Sequence, residues 1–105
     1  MHPIPEADWK FLRSVKDELL TELCKMINDE VPLIIRNTSL SQHEKFLTLY
    51  QHVMNKNDVI ADCFDDWRRS TIFDKLLMLQ KHQLLTDSYK SRLSTETQQR
   101  LKDIF

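Results

Sequence analysis

The sequence predicts an all-α fold, a compact helical bundle of four to six helices with a long N-terminal helix and no β-sheet. Three observations carry that expectation. Apolar side chains recur at spacings of three and four along most of the chain, the stripe of helices that bury one face. Helix-capping signals such as Ser41 with Glu44 punctuate the stripes. Finally, the 105 residues include no glycine, whereas tight two-residue hairpins call for Asn-Gly, Asp-Gly or Gly-X. At this length residues 1–105 form a single helical domain, with 1–6 as an N-terminal tail.

The first helix is marked by Trp9, Leu12, Val15, Leu19, Leu20, Leu23, Met26 and Ile27. Pro3 and Pro5 stand before it, and Glu6 and Asp8 place negative charge where the helix dipole favours it. Pro32 lacks an amide donor and disfavours α geometry at Val31, so a kink or stop is expected near 28–32, followed by a second helical stretch to about Asn37. The Ser41/Glu44 capping box opens the next helix, over roughly 42–54, with Phe46, Leu47, Leu49, Tyr50, Val53 and Met54 as its apolar face. Asn55-Lys56-Asn57 is expected to end it, and Asn57 or Asp58 to cap a third helix with the seam Val59, Ile60, Cys63, Phe64 and Trp67.

Beyond Trp67 the apolar phase changes, because Ile72, Phe73, Leu76, Leu77 and Leu79 fall on a different side of an unbroken helix. A second capping box, Thr71 with Asp74, favours a break; the lack of Pro or Gly in Arg68-Arg69-Ser70-Thr71 favours continuity from 58 to about 82. Continuity is the expectation. Two shorter helices follow, one after Thr86 with Tyr89 and Leu93, the other after Ser94 or Thr95 with Leu101, Ile104 and Phe105. Without glycine, helix ends need another residue for the left-handed turn, and Asn28, Asn37, Asn55 and Asn57 are the natural substitutes.

The same composition narrows the function. A chain without glycine has no Gly-rich phosphate cradle, EF-hand loop or nucleophile elbow. No Glu-x-x-His or His-x-x-x-His pair occurs, and His43, His52 and His82 fall on different, mostly polar surfaces, so no metal, cofactor or catalytic residue is expected. Cys24 and Cys63 form no CxxC motif and read as buried free thiols, Cys63 made inert by its apolar seam. No apolar run approaches the roughly 20 residues needed to span a bilayer, and the N-terminus lacks the basic and apolar regions of a secretory signal, so a cytoplasmic protein without a membrane partner is expected.

Net charge is −1, yet residues 1–66 carry 7 basic and 12 acidic side chains whereas 67–105 carry 8 and 4. Two surfaces that pair within one fold account for this split most simply; a basic nucleic-acid face is the alternative. The sign changes at Asp65-Asp66-Trp67-Arg68-Arg69, where Asp65 with Arg68 and Arg69 would form intrahelical pairs. Trp67, Arg68 and Arg69 also combine residue types enriched at binding hot spots. A first helix running to about residue 30 would be roughly 35 Å long, more than one small domain covers, leaving its end with Leu33, Ile34 and Ile35 in need of a partner surface. The expected function is a non-catalytic protein-interaction or regulatory module, a homodimer or a binder of another protein. The alternative is a small nucleic-acid-binding or transcription-related regulator using the basic C-terminal half.

Overall fold

The computed structural model describes residues 3–104, and Phe105, expected in the last helix, lies outside them. Five helices follow one another: α1 (Glu6–Ile35), α2 (Gln42–Phe64), α3 (Ile72–Lys81), α4 (Asp87–Lys90) and α5 (Thr95–Ile104). Among the described residues there is no strand, and the fold is all-α with the long N-terminal helix expected.

α1 runs through Pro32 without a stop. The missing donor falls opposite Asn28, an exposed position, and the helix ends one turn later, where the Arg36 N–H donates to the Pro32 carbonyl at 2.9 Å. A proline near a helix end thus removes one bond without steering the chain away. α2 opens as the sequence predicts: the Ser41 hydroxyl accepts from the Glu44 N–H at 3.1 Å, and the Glu44 carboxylate accepts from the Ser41 N–H at 2.9 Å.

The break expected at Asn55-Lys56-Asn57 is absent, and the one expected not to occur lies at Asp65–Thr71. Both corrections have one cause. Leu49, Val59 and Ile60 stay in phase towards α1, so nothing requires α2 to stop at its polar middle, and the Gln51 amide donates to Asn55 across one turn at 2.8 Å. By contrast, Cys63 and Phe64 must meet the same core as Ile72, Phe73, Leu76 and Leu79, which a straight helix would point elsewhere. The chain resolves the phase conflict by leaving the helix: Asp65 is extended, and Asp66 takes a left-handed conformation (φ 58°). The Thr71 hydroxyl turns back to donate to the Asp66 carbonyl instead of capping α3, so no second capping box forms.

The left-handed turns therefore fall on Asp66 and Gln83 (φ 62°), and on none of the four asparagines. Gln83 occupies the place usual for glycine in a Schellman closure of α3. Leu84 N–H donates to the Leu79 carbonyl at 2.9 Å and Gln83 N–H to Gln80 at 3.1 Å, with Leu79 and Leu84 both buried. Asn37 instead forms an Asx turn, its side-chain oxygen accepting from the Ser39 N–H at 3.0 Å.

The core gathers at one end. Leu12, Val15, Leu19 and Leu23 of α1 pack with Cys63 and Phe64, the inner face of α3, Leu84, Leu85, Tyr89, Leu93 and Leu101. Ile4, expected in a free tail, is buried there too, and the Arg69 guanidinium holds its carbonyl at 3.1 and 3.3 Å. Asp8, 3% exposed, accepts from Ser94 N–H (2.8 Å), Ser94 Oγ (2.7 Å) and Thr97 Oγ1 (2.6 Å). Ser94 in turn caps α5 by accepting from Thr97 N–H at 3.2 Å. The second half of α1 and the first half of α2 leave this head as an antiparallel hairpin. The molecule measures 51 × 25 × 23 Å with a radius of gyration of 16.6 Å, against about 13 Å for a spherical domain of this length.

Candidate functional site

From Cys24 to Asp62 no residue is buried. Two faces of α2 explain how the hairpin nevertheless holds together. Its inner face meets α1 through Leu49 and through polar contacts: His52 Nε2 lies 3.2 Å from the Ile27 carbonyl, His52 Nδ1 lies 3.6 Å from Glu30, and Lys56 reaches Glu30 at 4.0 Å. Its outer face carries Phe46 (63% exposed), Leu47, Tyr50 (58% exposed), Val53 and Met54, all in solvent. These five were expected to be the buried face of this helix. The intramolecular contact instead uses the more polar side, which also gives His52, expected among exposed or capping histidines, a place between the helices.

Several more exposed apolar residues, Met26, Leu33 (71% exposed) and Ile35, lie on the α1 half of the hairpin. Ile34 is half-buried and joins Leu47, Thr48, Gln51, His52 and Asn55 in lining a shallow groove of about 450 Å³ beside the outer face of α2. Leu33, Ile34 and Ile35 therefore sit at the hairpin tip, Ile34 half-buried and the other two exposed. On α2 the exposed apolar residues Phe46, Leu47, Tyr50, Val53 and Met54 share one side of the helix, unlike singly scattered surface leucines.

Trp67, Arg68 and Arg69 do not form one patch. The Trp67 ring stacks on Phe64 (centroids 5.5 Å apart, 17° between planes) and is half-buried, with the Lys16 ammonium 5.8 Å away. Arg68 forms a two-pronged pair with Asp66, its Nη2 donating at 2.9 Å, and this pairing holds the Asp66 carboxyl below its ordinary range. The partner is Asp66 rather than Asp65 because the helix has ended before either arginine. Arg69 is occupied by the Ile4 carbonyl. Trp67 and Arg69 close the α2–α3 loop onto the head, while Arg68 stays exposed and pairs within the loop.

The basic half is similarly engaged. Arg92 lies over the Phe11 ring at 4.3 Å and Arg100 over Phe73 at 4.1 Å, while Lys75 donates to the Asp62 carbonyl at 3.0 Å. Lys90 and Lys102 line a cleft of about 580 Å³ with Asp87, Ser91, Gln80, Gln98 and Leu101.

Both cysteines are free thiols, Cys24 half-buried and Cys63 buried. Burial, aided by the nearby Asp62 charge, raises the Cys63 thiol to about 11, which leaves it protonated and unreactive near neutral pH. Burial also raises the Tyr89 phenol, as do its hydrogen bonds to Glu18 (2.6 Å) and Glu22 (2.9 Å). Among the described residues no three or more His, Cys, Asp or Glu side chains converge to hold a metal ion, and no helix is long and apolar enough to cross a membrane. Compared with known proteins, the chain matches no family model, no curated protein and no solved structure.

Proposed function

We propose that this chain is a non-catalytic protein-interaction or regulatory module of the cytoplasm that associates with itself through the α1–α2 hairpin. One observation carries the reading: α2 turns its polar side to α1 and its five large apolar side chains to solvent. Exposing such a face costs free energy in the isolated chain, and a partner surface removes that cost. The nucleic-acid alternative draws less support, since Arg69, Lys75, Arg92 and Arg100 are each engaged within the head and Arg68 is paired with Asp66, whereas a nucleic-acid reader presents such groups together on one face.

Sedimentation velocity from about 1 to about 300 μM, the range in which small apolar interfaces associate, tests the proposal. The wild type is expected to gain mass with concentration, and Leu47→Glu to remain monomeric with unchanged helix content. A wild type that stays monomeric throughout overturns it.

A further inference from the structure

The exposed apolar residues of α2 are spaced so that a second copy of the same helix can match them. Reading outward from Tyr50, the exposed residues come in matched pairs: Val53 answers Leu47, Met54 answers Phe46, and Asn57 answers His43. In two antiparallel helices related by a two-fold axis, positions equally far before and after the axis face each other. A two-fold interface requires just this self-complementarity, residue i on j and j on i. With the axis at Tyr50, Phe46 meets Met54, Leu47 meets Val53, the Tyr50 rings meet at the centre, and a His43/Asn57 pair closes each end.

Charge and area agree. The segment Phe46–Asn55 contains no Asp, Glu, Lys or Arg, so two copies approach without like-charge repulsion, and the face offers nothing to select a strongly charged ligand. Its five apolar side chains leave on the order of 500 Å² exposed per copy. Full burial of both stripes would remove roughly 1,000 Å², the lower bound for a specific interface. The Ile34–Leu47 groove flanks the stripe and offers a hollow for the Val53 side chain set opposite Leu47.

We infer that the occupant is a second copy of this chain, docked antiparallel along α2 with its two-fold axis at Tyr50. This rests on the self-association proposed above and adds the orientation. The two heads then lie at opposite ends of a central four-helix body formed by the paired hairpins. The assembly would be about 70 Å long at 1.5 Å rise per residue, against 51 Å for one chain. A side-by-side parallel pair would stay close to the single-chain length.

Cysteine cross-linking in a Cys24→Ser background tests the orientation. Tyr50→Cys is expected to form a disulfide-linked dimer under mild oxidation. Phe46→Cys and Met54→Cys are each expected to stay unlinked alone and to link when mixed, because like positions lie about 12 Å apart along the axis and a disulfide spans Cα atoms only about 4.4–6.8 Å apart. Homodimeric links at both 46 and 54 would overturn the antiparallel arrangement while leaving self-association intact. Small-angle scattering on the unmodified dimer gives a second readout: a longest dimension near that of one chain also overturns the orientation. A wild type that sediments as a monomer, or one that associates only with a helix of another protein, overturns the self-association itself.

Discussion

The head and the hairpin are built from the same two helices and obey opposite rules. In the head, α1 contributes Leu12, Val15, Leu19 and Leu23 to a core shared with α3, α4, α5 and the end of α2. In the hairpin, one turn further along, the same helix has only α2 beside it, and both helices leave large apolar side chains in water. A stripe of leucines and aromatics reports only that a face is apolar. Whether that face is buried or left in solvent depends on how many elements pack around it, and here five helices meet at one end and two at the other.

The largest effect that would test this contrast comes from the head. Leu76→Ala removes a fully buried side chain from α3 and is expected to lower unfolding stability by about 2–5 kcal/mol, read from urea denaturation. A loss under about 1 kcal/mol would mean the head is looser than its burial implies.

An intermediate effect is expected in alkali, and its sign follows from the proton balance. The Tyr89 phenol is raised in the folded state by burial and by Glu18 and Glu22, while the unfolded phenol ionises near its ordinary value of about 10. The folded chain thus keeps a proton that the unfolded chain releases, so this stabilisation is complete below about pH 10 and is lost as pH rises further. Cys63, raised to about 11, acts with the same sign from its ordinary value upward. Urea midpoints at neutral and alkaline pH should converge partly in Tyr89→Phe; an unchanged alkaline loss would remove Tyr89 as its cause.

The smallest effect belongs to the hairpin. Phe46→Ser on the exposed face of α2 should change the unfolding stability of the monomer by no more than about 0.5 kcal/mol at concentrations too low for association. A loss as large as that of Leu76→Ala would mean that Phe46 packs within its own chain and would erase the distinction between the two regions.

Much of the fold is legible locally. The Ser41/Glu44 box, the Ser94 cap and the change of apolar phase after Trp67 are all written within a few residues. The interruption at Asp65–Thr71 was harder to read, because no Pro or Gly marks it and its cause is a core that both flanking segments must reach. Asp8 reads as an ordinary first-turn acid until Ser94 and Thr97 are brought beside it. The exposed face of α2 was visible as apolar residues, but the sequence does not show that a polar set, His52 and Lys56 with Glu30, lies against α1 in its place.

The contacts of Asp8 with residues 86 and 89 positions away also favour one order of assembly on loop-closure grounds. Closing so long a loop is entropically slow compared with joining α1 to α2 through the short turn at 36–41. As the chain leaves the ribosome, the hairpin can form first, with its outer face already exposed, whereas the head cannot close until Ser94 and Thr97 arrive. A chain interrupted before residue 94 would keep the exposed apolar face of α2 and lack the partners that enclose Asp8.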